Sequence, residues 1–564
     1  MELNKLNEEI HESDVLIKVN NYAVWTPEEK SWWRRTPNNG AGKTTFLVSV
    51  AGKCNLPSSG IITVNNVNVN QMQRGVVEMV PQFDVFMESL TVYEHLVFMT
   101  EMKLGSVKKI QNRTILRSLI QELKLKALEN NTICTLSGGE RRLLSLATSL
   151  LSSPLVLVCD EPTTGLDSYN ALLVVGVLKK LSKGGKIVIC SVHQPSSDLF
   201  KEFNSVCLMS EGKLVFHGTQ RECKEQFERV NLRCPLNFNP AEFYIRAVSN
   251  TSTCVKEIME NNRDSSVFGK QFSYFFNYSR CQRNWFKQVQ LMIWRSSLSL
   301  KREVKNYIFQ LFICTLISSM IIGTCYVGIS GTTQRGVQDM RGFLWLMCSE
   351  VSFSLSYVAL YAFEFDLILF KREVGVYTTS AFYVCRFLTL MPRCLVWPVA
   401  YVIIATLAVE LPDHILTAVK FAASLIITAI ASTAYGLGMG ALFTSTGVMG
   451  DVMPCADLPL FIMSGAFLRL SSLPIWLYPL KYFSHFYYGM DAISNIYWRQ
   501  IDSIDCPANS TSTCYENGMS VLVENGYSED FIFEDYMGFL FVTVVWSLVG
   551  FYGLKREEIK GYAY

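Results

Sequence analysis

A short glycine-rich run near the start of the chain has the composition of a phosphate-binding loop. Residues 40–45 are GAGKTT, and the apolar stretch 46–51 that follows is of helical type. Backbone N–H groups at a helix N-terminus bind phosphate, helped by the helix dipole. The Lys43 ammonium would reach the β- and γ-phosphates of a nucleotide, and the Thr44 hydroxyl would ligate Mg²⁺. The run therefore predicts a nucleotide-phosphate site at the start of a helix.

Two adjacent carboxylates follow a pattern typical of a buried strand. The apolar run 155–159 ends in Asp160 and Glu161, as expected of a parallel strand that is buried on both faces. Ligands of open α/β sheets bind outside the carboxyl ends of the strands. Asp160 would therefore organise Mg²⁺, and Glu161 would polarise the attacking water. By itself the pair is equally typical of a strand that meets an acidic turn, and the phosphate loop upstream favours catalysis.

A second candidate anion site lies between these two features. Residues 136–142 are LSGGERR, and the apolar run 143–151 continues from them as a helix. A serine hydroxyl and free N–H groups at a helix start bind anions. One phosphate loop needs no second γ-phosphate site, so the pattern suggests that each nucleotide lies between two such domains. The alternative is an ordinary serine N-cap followed by a glycine turn.

Three further polar positions follow predicted strands or turns. Residues 165–167 are Gly-Leu-Asp, and a buried-strand run at 186–190 leads to His193, one of only six histidines. His193 would contact a γ-phosphate, although a lone histidine is more often structural. Gln82 follows a short apolar run and would ligate Mg²⁺ and couple the site to the rest of the chain. By themselves these residues would not indicate a function. Their positions relative to the other motifs are what make them candidate site residues.

The second half of the chain consists of repeated apolar runs. Six of them approach the ~20 residues that cross a bilayer as a helix. They are residues 307–329, 343–363, 387–409, 421–443, 448–468 and 537–554. Buried helices of a soluble protein are the alternative, which six such lengths disfavour. Carboxylates within spans are functional candidates, namely Glu350 in the second run and Asp451 and Asp457 in the fifth; loop-end carboxylates near the interface are the alternative.

Basic residues near the ends of the runs predict the orientation. They are Lys301, Arg302, Lys305, Lys371, Arg372, Lys555 and Arg556. With six spans all of these share one side, which the positive-inside rule makes cytosolic, together with both termini. The segment 470–536 then lies on the opposite side, where Cys506, Cys514 and the sequon at Asn509 predict a disulfide and a glycan. Spacing leaves open whether Cys506 and Cys514 bond within the chain or between chains.

Overall composition excludes several classes of protein. The chain has 564 residues, 49% of them hydrophobic, and 51 Lys and Arg balance 49 Asp and Glu for a net charge of +2. A balanced charge argues against a nucleic-acid footprint. The composition is neither disordered nor collagen-like. Residues 1–14 are polar and acidic, unlike a signal peptide. Together these features indicate a charged soluble domain followed by a membrane domain.

Taken together, the motifs resemble the nucleotide-binding domain of ABC transporters. Their order is P-loop, Gln loop, LSGGE signature, Asp-Glu pair, Gly-Leu-Asp loop and switch histidine. A single such domain ahead of the membrane half resembles a subfamily G half transporter, of which DEPTTGLD at 160–167 and HQP at 193–195 are typical. Residues 234–244 and the spacing of Cys506 and Cys514 are similar to the insect white/scarlet/brown group. The implied fold is an α/β P-loop ABC nucleotide-binding domain followed by an all-α six-helix transmembrane domain.

The resemblance implies that the chain binds ATP and Mg²⁺ at the positions that match the family motifs. The implied catalytic residues are Glu161 and His193, and the implied metal ligands are Thr44, Gln82 and Asp160. The implied nucleotide-binding residues are Asn38, Asn39, Gly40, Ala41, Gly42, Lys43, Thr44, Thr45, Gln82, Ser137, Gly138, Gly139, Glu140 and Asp167.

The resemblance also implies a domain plan and a function. The ATP-binding domain is expected at 1–250, a linker and connecting helix at 251–300, and the six-span domain with outer loop 470–536 at 301–564. The chain would pair with itself or another subfamily G half transporter in a plasma or pigment-granule membrane, in contact with lipid and without nucleic acid. It would move a tryptophan- or guanine-derived pigment precursor. The alternatives are a sterol or lipid exporter and a catalytically weak partner subunit. Substrate would lie between spans two and five of the two subunits, near Glu350, Phe353, Phe461 and Met463.

One segment departs from the family pattern. Pro37 stands where the family P-loop begins with glycine, and residues 31–36, SWWRRT, do not form the apolar strand that precedes it in the family. Two arginines at a strand end would need partners if buried. The simplest interpretation is a deletion near 35–38 of roughly thirty residues. A loop that lacks its supporting strand predicts weak ATP binding at this chain's own P-loop.

Overall fold

The computed structural model describes most of the chain. The described residues are 17–24, 42–54, 57–72, 75–105, 109–250, 283–409, 411–443, 446–506, 514–527 and 531–560. The chain divides into two units, one of Met1–Asn284 with Lys560–Tyr564 and one of Trp285–Ile559. The expected deletion at 35–38 and the sequon at Asn509 lie outside the described residues.

Three small sheets form the strand framework of the first unit. An antiparallel sheet contains β1 (Ile17–Val24), β2 (Ser58–Val64) and β3 (Val67–Asn68); a parallel sheet contains β4 (Val77–Val80), β5 (Val156–Cys159) and β6 (Ile187–Cys190) in that order; and β7 (Ser205–Ser210) pairs with β8 (Lys213–Thr219). In the parallel sheet Val80 lies beside Cys159, and Cys159 beside Cys190. The residues that follow all three strands therefore meet at one edge. The predicted strands at 155–159 and 186–190 are confirmed.

Helices of the first unit pack around these strands. They are α1 (Lys43–Val50), α2 (Val92–Lys103), α3 (Lys109–Glu122), α4 (Gly138–Leu150), α5 (Ser168–Lys183), α6 (Ser197–Lys201), α7 (Gln220–Arg229) and α8 (Pro240–Asn250). Leu47 and Val48 of α1 share a buried core with Val156 and Val158 of β5. Both helices predicted from the glycine-rich motifs are present, as α1 and α4. The core fixes α1 against the strand that carries the two carboxylates.

Long apolar helices dominate the second unit. The helices of this unit are α9 (Trp285–Cys325), α10 (Gln334–Arg372), α11 (Thr379–Ala408), α12 (His414–Leu442), α13 (Thr446–Ile462), α14 (Tyr478–Lys481), α15 (His485–Trp498), α16 (Gly518–Asn525) and α17 (Phe531–Lys560). Among the described residues, five of these helices (α9 to α12 and α17) are long and apolar enough to cross a membrane. Five of the six predicted runs therefore correspond to such helices.

The fifth predicted run differs from the other five. It folds as α13, which has 17 residues and contains Pro454 and Pro459. A straight crossing needs ~20 residues, and proline removes intrahelical hydrogen bonds. The six-span count is therefore corrected to five long helices and one short, proline-containing helix.

The predicted outer loop at 470–536 contains more structure than its sequence indicates. It holds α14, α15 and α16, and every residue of α15 is buried. Polar residues interrupt the apolar pattern of α15, so its sequence contains no apolar run long enough to predict a span. Its residues Tyr497 and Trp498 nevertheless pack in the main core of the unit. Cys506 and Cys514 form a disulfide within the chain, with their Cα atoms 6.2 Å apart. The question that spacing left open is answered by this geometry.

Candidate functional site

The carboxyl edge of the parallel sheet brings the predicted catalytic pair into a hydrogen-bonded group. Asp160 follows β5 and is 2% exposed. The Ser191 hydroxyl, which follows β6, donates to Asp160 Oδ1 at 2.5 Å. The backbone N–H of Glu161 donates in turn to Ser191 Oγ at 2.8 Å. Ser191 thus fixes both carboxylate residues relative to the neighbouring strand.

Glu161 is the centre of the group. Gln82 Nε2 donates to its Oε2 at 2.8 Å, and the Thr164 hydroxyl donates to the same oxygen at 3.1 Å. Lys43 Nζ lies 4.0 Å from its Oε1. The backbone at Glu161 has φ +45°, a left-handed conformation that costs energy in a non-glycine residue and is concentrated at functional sites. The structure therefore gathers Lys43, Gln82 and Asp160 around the residue expected to polarise water.

Arg142, from the second turn of the signature helix α4, binds the loops that carry these residues. Its guanidinium donates to the backbone oxygens of Pro81 and Gln82 at 2.7 Å each and to that of Glu161 at 3.1 Å. It also forms an ion pair with Asp84 at 3.0 Å. A buried, planar guanidinium with five donors suits several fixed acceptors at once. Arg142 thus connects the Gln loop and the carboxylate loop to α4.

The signature serine caps α4, which is the alternative given for this motif, and the second anion site stays a prediction. The Ser137 backbone N–H donates to Glu140 Oε2 at 2.8 Å, and the Glu140 N–H donates to Ser137 Oγ at 3.4 Å, which is a capping box. A Cβ placed on Gly139 would lie 2.9 Å from Asn170 Cγ of α5, whereas one on Gly138 would meet only Leu166 at 3.7 Å. Glycine at 139 therefore permits the close approach of α4 and α5.

The remaining predicted residues lie at the surface of this unit. Asp167 is exposed, and a hydrogen bond from Asn170 Nδ2 at 2.5 Å is the main reason why its pKa is lowered. His193 is exposed on the loop after β6 and makes no hydrogen bond with any described residue. The signature residues and His193 do not join the group around Glu161.

The phosphate loop is described only in its last residues. Gly42 is the N-cap of α1 with φ +82°, a conformation that glycine favours. Lys43, Thr44 and Thr45 form the first turn of α1, and no described side chain caps its N-terminus, where N–H groups can bind an anion. Asn38, Asn39, Gly40 and Ala41 lie outside the described residues.

The donor set fits a hard divalent cation. Asp160 offers a second carboxylate oxygen, Thr44 a hydroxyl and Gln82 an amide oxygen, since only the Gln82 amide nitrogen binds Glu161. Mg²⁺ prefers oxygen ligands and is held by one or two carboxylates together with substrate phosphates. When bound, Mg²⁺ would neutralise phosphate charge at this edge.

The second unit brings together two of the four residues predicted to line a substrate path. Phe353 of α10 and Phe461 of α13 have ring centroids 5.7 Å apart, and Phe486 of α15 lies 4.9 Å from Phe353. Phe353, Phe461 and Glu350 are half-buried, whereas Met463 is buried. The second and fifth hydrophobic runs thus contact each other within this chain, and a substrate path between the two subunits stays a prediction.

Comparison with known proteins identifies the family. Residues 36–164 match the ABC transporter family, and residues 287–498 and 193–261 match ABC-2 type transporter families. The chain is 30% identical over 554 residues to Protein white of Drosophila melanogaster, which covers 92% of this chain and 80% of that protein. The chain belongs to the ABC transporters, as a subfamily G half transporter. Its ATP-binding domain is an ATPase coupled to transport.

Other relatives of this ABC transporter support the same placement. Protein brown of Drosophila melanogaster is 28% identical over 609 residues, covering 92% of this chain and 89% of that protein. The rat broad substrate specificity ATP-binding cassette transporter ABCG2 is 27% identical over 539 residues, covering 86% and 81%. The predicted family and fold class are thus confirmed, with the correction to α13 given above.

Sequence reasoning missed two residues of the nucleotide site. Arg142 stands in the quoted LSGGERR run, but its role needs the contacts to Pro81 and Glu161, which are remote in sequence. Ser191 directly follows a predicted strand. Because parallel strands end at one edge, its position next to β6 was a usable signal.

Proposed function

We propose that this half transporter dimerises and uses ATP to move a small aromatic molecule, a tryptophan- or guanine-derived pigment precursor, across a membrane. The half-buried aromatic face formed by Phe353 and Phe461 carries the proposal. Stacked or edge-on aromatic pairs favour flat, aromatic ligands. Similarity to the Drosophila proteins white, scarlet and brown over more than 90% of the chain supports the choice.

In the proposed mechanism each side chain of the nucleotide site has one task. The α1 N-terminus and Lys43 bind the phosphates, and Thr44, Gln82 and Asp160 hold Mg²⁺. Glu161 accepts a proton from the attacking water, which the neighbouring Gln82 helps to position. His193 contacts the γ-phosphate from its exposed loop.

Dimerisation follows from the separation of the two half-sites. The Ser137 cap at the N-terminus of α4 is exposed and makes no contact with the Glu161 group in the described part of the chain. We propose that it closes over the nucleotide of a partner half transporter, and that Asp167 lies at the same interface. Nucleotide-driven closure would change the exposure of the aromatic face, and hydrolysis at Glu161 would reset it.

The orientation and location are part of the proposal. Lys301, Arg302 and Lys305 are all exposed on α9, and positive residues favour the cytosolic side. Both termini and the ATP-binding unit would be cytosolic. The membrane would be the plasma membrane or that of a pigment granule.

Uptake into vesicles tests the proposal. The full chain is expressed alone and with candidate subfamily G partners, and labelled 3-hydroxykynurenine, guanine and cholesterol are offered with ATP. We expect ATP-dependent uptake of one aromatic compound, abolished when Glu161 and the matching glutamate of the partner are both replaced by Gln, with ATP binding retained. Uptake of cholesterol alone would make this a sterol exporter. If uptake requires the corresponding glutamate of the partner half transporter and not Glu161, this chain is a subunit with weak ATPase activity of its own.

A further inference from the structure

Asp457 of α13 is a buried carboxylate in the membrane unit whose charge has no basic partner in the described part of the chain. It is 3% exposed. Its Oδ1 accepts a hydrogen bond from the Tyr435 hydroxyl at 2.6 Å, and Tyr357 also lies against the carboxylate. Its Oδ2 makes no hydrogen bond with the described residues. Burying a carboxylate oxygen without a hydrogen-bond donor costs folding free energy. A ligand that supplies a hydrogen-bond donor to this oxygen would therefore bind favourably.

Three other buried carboxylates of the same unit have a cationic partner, whereas the buried Asp491 and Asp535 interact with each other. Glu373 binds Arg295 at 2.8 Å, Glu557 binds Lys371 at 2.7 Å, and Asp366 forms an ion pair with Arg386. Among the described residues no Lys, Arg or His forms an ion pair with Asp457. The unit thus pairs these three carboxylates with a cation and leaves Asp457 with hydroxyl partners only.

The position of Asp457 relative to the aromatic face indicates which chemical groups a ligand of this carboxylate would carry. Phe461 follows Asp457 by four residues, so both lie on one face of α13. Phe353 and Tyr357 are likewise four residues apart on α10, and Tyr357 is half-buried. The carboxylate therefore lies one side chain below a surface of aromatic rings. A ligand that uses both features carries an aromatic ring and, next to it, a positive charge.

We propose that Asp457 binds the ammonium group of an aromatic amine whose ring packs on Phe353 and Phe461. This inference rests on the proposed function and narrows its substrate class to protonated amines. Glu350 is a weaker candidate for the same task because it is half-exposed, and a hydrated carboxylate gains less from pairing. Charge neutralisation by the ligand would be greater at Asp457, which is buried and forms no ion pair with a described Lys, Arg or His.

The test compares two probes that differ only in charge. Tryptamine carries an ammonium at neutral pH, and tryptophol carries a hydroxyl on the same indole. Binding to the purified full chain, with a partner where one is required, and uptake into vesicles are measured for both. We expect Asp457→Asn to weaken tryptamine binding at least about 30-fold and to change tryptophol binding less than about two-fold.

Two further variants separate the binding role from folding. Asp457→Glu keeps the charge and should retain the preference for tryptamine over tryptophol. Asp502→Asn removes an exposed carboxylate of the same unit and should leave both affinities unchanged. Equal loss of both probes in Asp457→Asn, no loss of either, or wild-type protein that binds neither probe would overturn the inference.

The outcome also separates the inference from the proposed function. Tryptamine binding that depends on Asp457 without any uptake would support the amine site and contradict transport of the aromatic class. If Asp457→Asn leaves the uptake of both probes unchanged, the result would support the proposed transport and overturn the inference of an amine site at Asp457.

Discussion

At the scale of single residues, the nucleotide site depends on side chains that hold backbone rather than substrate. Arg142 donates to three backbone oxygens in two loops and pairs with Asp84. Ser191 links Asp160 to the backbone of Glu161. Catalytic groups must be held within fractions of an ångström, and these two residues provide that support.

Replacing Arg142 tests this dependence. Arg142→Lys keeps the charge, but an ammonium cannot serve the four acceptors of a planar guanidinium. We expect a loss of about 2 kcal/mol in unfolding free energy and an ATPase rate lowered about ten-fold or more. Thermal unfolding and phosphate release measure the two effects. Arg141→Lys, which alters a more exposed neighbour, should change neither by a comparable amount.

A second residue-scale prediction concerns pH. Burial, the largest influence, raises the pKa of Glu78, but Lys103 and Lys53 and hydrogen bonds from Ser152 and Lys103 outweigh it, so the pKa lies below its ordinary 4.5. A lowered folded-state pKa gives stability that is present above the unfolded pKa and lost as pH falls through the folded one. Glu78→Gln should therefore lower the melting temperature at pH 7 and differ little from wild type at the lowest pH. A difference that grows on acidification would contradict this.

At the scale of elements, the sequence predicted the strands and helices that contain continuous apolar runs. The strands β5 and β6 and the helices α1 and α4 follow directly from such runs and from the glycine motifs. The buried helix α15 does not, because Asp491, Asn495 and two other polar residues interrupt its pattern and tertiary packing alone buries it. The shortness of α13 was likewise hidden, since its two prolines leave mean hydropathy high. Contacts remote in sequence, such as those of Arg142, lie beyond any local pattern.

The packing of α4 on α5 gives an element-scale prediction. A methyl group at Gly139 would lie 2.9–3.2 Å from Asn170 atoms, closer than van der Waals contact allows. Gly139→Ala should therefore destabilise the first unit by about 1–3 kcal/mol. Gly138→Ala, whose added Cβ meets only Leu166 at 3.7 Å, should cost less. Thermal unfolding of the two variants measures the contrast, and equal melting temperatures would refute the close-approach argument.

At the scale of the whole molecule, the chain combines a recognisable ABC transporter sequence with an abnormal approach to its P-loop. The family match begins at residue 36, and residues 31–36 lack the apolar strand pattern. The chain nevertheless spans 80–89% of the Drosophila relatives white and brown. The departure is therefore local, while both functional halves are represented.

This departure predicts an asymmetric dimer. A phosphate loop without the apolar strand pattern before it should bind ATP weakly, whereas the Ser137 signature can still serve a partner's nucleotide. In a complex of the full chain with a normal subfamily G partner, photoreactive ATP should label the partner more strongly than this chain. Lys43→Ala should then change labelling of the pair little. Equal labelling of both subunits would show that the P-loop is competent as it stands.

The helix α9 has a further mechanical consequence. Its 41 residues make it about 60 Å long, roughly twice the hydrocarbon thickness. The Arg295–Glu373 ion pair and the hydrogen bond from Trp285 to Ser380 fix its first turns against the segment that joins α10 to α11 and the start of α11. Further along, Arg393 of α11 lies over the Tyr307 ring, and Ile322 near the far end packs in the main core of the unit. A rotation at the start of α9 would therefore be transmitted along the whole helix to the core residues that its far end contacts.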